Sequence, residues 1–165
     1  MRTASGAHAV SLWFIKYLHI VSATVILGTG AGIAFFMLMA HRTGNTAFIG
    51  FTARTVVIAD VVFTATAIIL QPLTGFFLMR GGGWSFTDSW IVVSLGLYLF
   101  AGAFWIPVLW MQARMRDLAV AASTAQQPLP VVYYRLFRVW FVFGFPAFAA
   151  VLAILALMIL KPVLY

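Results

Sequence analysis

The chain has 165 residues, 64% hydrophobic and only 8% charged, with a mean hydropathy of +1.07. Water-soluble domains carry about a quarter charged residues, so water is not the main solvent of this chain. Cysteine is absent, which excludes disulfides, thiol catalysis and thiolate metal sites, and the net charge of +7 lies between apolar runs, as orientation signals and lipid-headgroup contacts do, rather than in a nucleic-acid-binding patch.

The first apolar run covers residues 12–40 and follows MRTASGAHAV, which holds one Arg. It is longer than the core of a signal peptide and lacks a clear cleavage site, so it reads as a retained first helix. Within it, WFIKYLHIVSAT (13–24) sets Lys16 and His19 three positions apart, on one helical face. Further on, GTGAG (28–32) has no strand before it and so is no dinucleotide fingerprint. Gly28 and Gly32 instead form a GxxxG pair that lets helix backbones approach closely.

The second run, 55–79, contains Asp60, the one acid within a span. Arg54, Arg135 and Arg138 near the same boundary are its expected partners, and a proton relay is its functional alternative. Gln71-Pro72 followed by Thr74-Gly75 should bend this helix and free a carbonyl near the level of His19. RGGGWSFTDSW (80–90) is a turn, with three glycines to break the helix and two tryptophans suited to the interface.

The third run, 90–111, carries Ser94 and Tyr98, and 112–138 reads as the longest loop, stopped by QPLP. VVYYRLFRVW then forms an aromatic and arginine belt leading into the fourth run, 139–160. Pro107 and Pro146 are expected to be simple kinks.

Each run has the roughly 20 apolar residues needed to cross a bilayer. Each must be helical because hydrocarbon offers the backbone no other partner. The expected fold is all-α, an integral membrane four-helix bundle, with 1–165 forming a single transmembrane domain. Arg42, Arg54, Arg114, Arg116, Arg135 and Arg138 share one side, whereas Arg2, Arg80 and Lys161 share the other. The positive-inside rule then puts both termini on the outer or periplasmic side of a cell (inner) membrane.

Depth decides which polar residues can meet. At about 1.5 Å per residue, His19, Gln71, Thr74 and Tyr98 all fall within roughly 12 Å of the outer boundary. With Lys16 and Ser94 they form one polar layer. Lys16 can snorkel outward, and His19 can hydrogen-bond Gln71 or a carbonyl of another helix. An ionisable group at membrane depth is also a functional candidate, and a neutral imidazole is the usual axial ligand of haem iron. A second ligand is harder to find. His8 lies roughly 16 Å further up a continuous helix, His41 lies at the opposite end of the span, and Met79 and Met158 are the remaining thioether candidates.

W-x-x-K-x-L-H (13–19), QPLTG (71–75) and YYRLFRVWFVFGFPAFAAVLAILALMILKP (133–162) together resemble the HemJ-type protoporphyrinogen IX oxidases. The chain looks closer still to an uncharacterised family of predicted four-helix integral membrane proteins, and it is also similar to the membrane part of copper-resistance D proteins. The resemblance implies a four-helix membrane fold holding haem b, with the first-helix histidine falling on His19. In the HemJ type a W-x-x-x-K run supplies a lysine in the third helix. Here the stretch is WIVVSLG, so Ser94 stands near that place and no amine is present.

The reading that follows is a membrane haem-b-binding or redox protein. His19 is the ligand or proton-coupled group, Lys16 or Arg80 draws the propionates, and Gln71, Thr74, Ser94 and Tyr98 supply hydrogen bonds. If the chain is an enzyme, it is a membrane oxidoreductase, engaged in electron transfer or HemJ-like oxidation. Its partners are the lipid bilayer, quinone or another membrane redox partner, with a homo-oligomer or larger complex as the assembly. The alternatives are a non-catalytic accessory subunit and a copper or small-solute permease.

Overall fold

A computed structural model of the chain describes residues 3–163, with side chains described from Ser11 onward. The described residues fold into four helices long and apolar enough to cross a membrane, with no strand. They are α1 (Thr3–Thr43), α2 (Thr46–Gly81), α3 (Ser89–Thr124) and α4 (Val131–Leu160). This is an all-α membrane bundle.

The helices outrun the apolar segments at the arginine-bearing end. Hydropathy marks where lipid ends, whereas a helix ends where its backbone finds a stop. Past Met111 the sequence QARMRDLAVAA is rich in good helix formers, so α3 continues to Thr124. There Gln126 takes a left-handed φ of 52°, Gln127 N–H donates back to Ala122 O at 2.9 Å, and Pro128 and Pro130 prevent resumption. The expected long loop at 112–138 is therefore a short link, residues 125–130. The α1–α2 link is tighter still. Gly44 adopts a φ of 65°, and Asn45 caps α2 by accepting from Phe48 N–H at 3.0 Å.

Neighbouring helices pack in order, α1 on α2, α2 on α3 and α3 on α4, with a lighter contact between α1 and α4. The main core sits at the arginine-bearing end. It joins Ile33, Met37 and Ala40 with Ile49, Ala53, Val56, Met111, Met115, Tyr133, Phe137 and Trp140. His41 lies against this core with its ring stacked on Phe137 at 3.8 Å. A second, smaller core, Met79, Trp90 and Ile91 with Met158, holds the terminal end. Between the two, the second half of α2 packs on α1 rather than along α3.

Helix α2 is irregular at Asp60–Thr64, one turn of π-helix, and not at Pro72, where the α-helix runs on. Pro72 still leaves its mark. It has no N–H to give the carbonyl four residues back, which is Ile68 O. Tyr98 O–H donates to that carbonyl at 2.6 Å and so ties α3 to this half of α2. The freed carbonyl expected near His19 is thus present, and it is already taken.

Removing the donor should expose the account. Tyr98→Phe is expected to cost about 1 kcal/mol of stability in micelles. In a Pro72→Ala background, where the restored backbone N–H can serve Ile68 O, the same change should cost little. Equal costs in both backgrounds would contradict the assignment.

Candidate functional site

The α1–α2 seam holds a compact polar cluster. Gln71 Nε2 donates to His19 O at 2.9 Å and to Ser22 Oγ at 3.0 Å, while Ser22 O–H donates to His19 O at 3.1 Å. Every acceptor here belongs to α1, so one amide fastens two helices where no water can substitute. Ser22 is 3% exposed, Thr74 6%.

The His19 ring is fixed by a second link, Nδ1 to Thr74 Oγ1 at 2.8 Å. Thr74 decides the tautomer. Its hydroxyl has one hydrogen, and Leu70 O, which can only accept, lies 2.6 Å away. Thr74 therefore donates to Leu70 O and accepts from His19 Nδ1–H. Nε2 is left as the bare nitrogen, and no hydrogen bond to it is found among the described residues. The ring lies close over Gly75, where a Cβ would stand 3.4 Å from Cε1. A larger residue there would press on the imidazole.

The remaining residues of the expected layer stand apart from this cluster. Lys16 is exposed, its Nζ 5.4 Å from the centre of the Trp13 ring, as a lysine reaching for the interface does. Ser94 is buried, but its hydroxyl donates to Trp90 O of its own helix at 2.6 Å. Tyr98 is engaged with Ile68 O. Met79 and Met158 pack with Trp90 and Ile91 rather than beside His19, and the side chain of His8 falls outside those described. A Cβ at Gly28 or Gly32 would meet nothing within 4 Å, so the expected close helix contact is not made within this chain.

The residues fit haem in donor chemistry and not in enclosure. An imidazole whose Nδ1–H is anchored and whose Nε2 is bare is the form that ligates a metal. Deeper along the same seam, a groove between Leu18, Val21 and Ser22 of α1 and Thr66, Ala67 and Leu70 of α2 has a volume of only ≈160 Å³ and is not lined by His19. Cofactor pockets run from about 300 Å³ upward. No cluster of three His, Cys, Asp or Glu side chains occurs among the described residues.

Sequence reasoning missed a second buried cluster. Arginine is the expected partner of Asp60, yet the only ion pair among the described residues is Arg116–Asp117. Asp60 instead receives Trp105 Nε1–H at 3.4 Å and faces Gln112, both it and Gln112 being 2% exposed. The signal was available in part, since Gln112 directly continues the third apolar run. Assigning it to a loop hid it.

The family described as "Predicted integral membrane protein (DUF2269)" matches residues 13–162. This chain belongs to that family. No curated protein and no solved structure matches the chain. The DUF2269 match thus places the protein in a lipid bilayer and names neither the HemJ type nor the copper-resistance proteins. It spans the seam cluster and the Asp60 cluster alike.

The tautomer is directly measurable. In ¹⁵N-histidine-labelled protein, His19 should show a protonated Nδ1 and a bare Nε2. Thr74→Val should move the proton to Nε2 or share it between the two nitrogens. A wild-type ring protonated on Nε2 would contradict the geometry.

Proposed function

We propose that this DUF2269 protein binds haem b through His19 Nε2 at the α1–α2 seam and passes electrons to a membrane redox partner such as quinone. The observation that carries the reading is the bare Nε2, held at membrane depth by the Thr74 bond to Nδ1. An acceptor nitrogen in hydrocarbon is costly unless something binds it. Haem, when bound, supplies one-electron chemistry. The chain's own part is to hold the ligand. Thr74 orients the ring, and Gln71 and Ser22 pin the backbone at His19. Lys16, exposed one turn nearer the terminal end, offers a cation to acidic groups. Ser94 and Tyr98 drop out of the hydrogen-bonding set, their hydroxyls being spent on backbone carbonyls. HemJ-like oxidation is left out too, because Ser94 provides no base.

The reading includes a cell inner membrane and termini on the outer side, supported by the six arginines at the opposite end. Because the groove does not enclose a porphyrin, lipid or a second chain completes the surroundings.

Purified wild-type protein with ample haem supply should show a Soret band, and His19→Ala should lack it. Thr74→Val should lower haem affinity about 10- to 100-fold, the range for a partner of a ligating histidine. No Soret band in wild type overturns the proposal.

One observation favours a second reading, an accessory subunit of a larger complex: the unpartnered faces of Gly28, Gly30 and Gly32. Small residues on a membrane helix permit close approach by another helix. Native mass analysis decides. A larger assembly broken by Gly28→Leu supports this reading, and a lone monomer counts against it.

A further inference from the structure

The Asp60 cluster lies where the π-turn of α2 faces Trp105 and Gln112 of α3, with Trp140 of α4 behind Gln112. Its hydrogen bonds can be ordered from one end. Trp140 Nε1–H can only donate, so the Gln112 amide oxygen faces it at 3.2 Å. The Gln112 amide nitrogen then donates to Asp60 Oδ2 at 3.1 Å. Trp105 Nε1–H reaches Oδ1 at 3.4 Å. Both carboxyl oxygens therefore accept from neutral donors, and the arrangement of Gln112 cannot reverse without leaving two N–H groups face to face.

No cation balances this carboxyl among the described residues. From α3 it meets Trp105 and Gln112, and Trp140 closes the chain from α4, all uncharged. Arg54 on its own helix, Arg114 on α3 and Arg138 on α4 form no ion pair with it. Helix α1 has no titratable residue from Ile20 to Ala40. A second polar atom waits beside it. Thr64, a residue 5% exposed, sets its hydroxyl beside the carboxyl. Asp60 and Thr64 are the first and last residues of the π-helical turn. Such turns are rare and frequent at functional sites.

We infer that Asp60 is a reversible proton-binding site that exchanges with water at the arginine-bearing end of the bundle. Gln112 and Trp140 each stand two residues from an arginine, about 3 Å along the helix axis, so the arginine-bearing end is the nearer of the two ends to the cluster. A proton from that water adds to a carboxylate oxygen and converts the site from one negative charge to neutral. Thr64 suits both states, because its O–H can donate to the carboxylate and its oxygen can accept from the acid. The donors Trp105 and Gln112 keep the carboxyl in place throughout. A metal cation fits less well, since Asp60 and Thr64 are the only side-chain oxygens of this cluster free to meet it. This inference does not depend on haem.

The test exploits the composition, since the chain has three acids, all aspartates. Full-length protein with carboxyl-¹³C aspartate is placed in lipid nanodiscs, and infrared difference spectra are taken between about pH 5 and 9, above the ordinary carboxylate range. Asp88 and Asp117 carry the same label, and the Asp60→Asn spectrum separates their contribution from that of Asp60. We expect a protonated C=O band that appears and disappears reversibly, is absent in Asp60→Asn, and moves to higher frequency in Thr64→Val as the acid loses its acceptor. Thr64→Val retains the carboxyl and so serves if Asp60→Asn does not fold. A spectrum without change, a band present at every pH, or a band removed by sodium at constant pH would each overturn the inference, the last in favour of a cation site.

Discussion

A carbonyl released inside hydrocarbon has no water to bind, and the bond from Tyr98 to Ile68 O shows how the bundle answers that constraint. Pro72 takes away one donor and a tyrosine from another helix replaces it. The same necessity explains the seam between α1 and α2. Gln71 spends its amide on a backbone oxygen and a serine of α1, and Thr74 gives its hydrogen to Leu70 O. In water such bonds would compete with solvent and contribute little. Here each fixes the position of one helix against the next.

The same constraint gives His19 its character. Once Thr74 has given its only hydrogen away, the imidazole must donate from Nδ1, and its second nitrogen cannot be satisfied by the groups around it. A residue anchored on one side and left open on the other is poorly explained as helix glue alone. Gln71 and Ser22 already join the helices. The open nitrogen is the feature on which the proposed ligand role rests.

How much of this could be read beforehand follows from what a sequence encodes about a membrane helix. Rise per residue gives depth, so the pairing of His19 with Gln71 and Thr74 could be anticipated from antiparallel helices of known length. Rotation about the helix axis is set by packing and could not. Lys16 and Ser94 share the depth but point elsewhere, one to the interface beside Trp13 and one to its own backbone. Helix ends were obscured because hydropathy reports lipid, and Gln112 and Trp140 continue helices beyond or at that boundary. Asp60 was visible as an intramembrane acid, while Gln112 was hidden by the same error and Trp105, inside the third run, gave no sign of facing it. A π-helical turn depends on which carbonyl each N–H selects, and DVVFT carries no residue that dictates it.

Helix α2 links the two clusters. Its inward positions run Ala53, Val56, Asp60, Thr64, Ala67, Gln71 and Thr74, a spacing of three or four that keeps one face toward the bundle. Before the π-turn that face serves α3 as well as α1, and after it mainly α1. An extra residue in the turn is a direct way to re-aim a helix at that point. From Asp60 to Thr74 the rise is roughly 20 Å, and the groove between is lined largely by Val21, Val25, Val62, Phe63 and Ala67. Protons therefore have no continuous side-chain route along it. Charge is a different matter. At about 20 Å and an effective dielectric constant near 20, one unit charge shifts another by about 1 kcal/mol. A charge at Asp60 and a charge brought to the His19 site, were both present, would be coupled at that level without any atom passing between them.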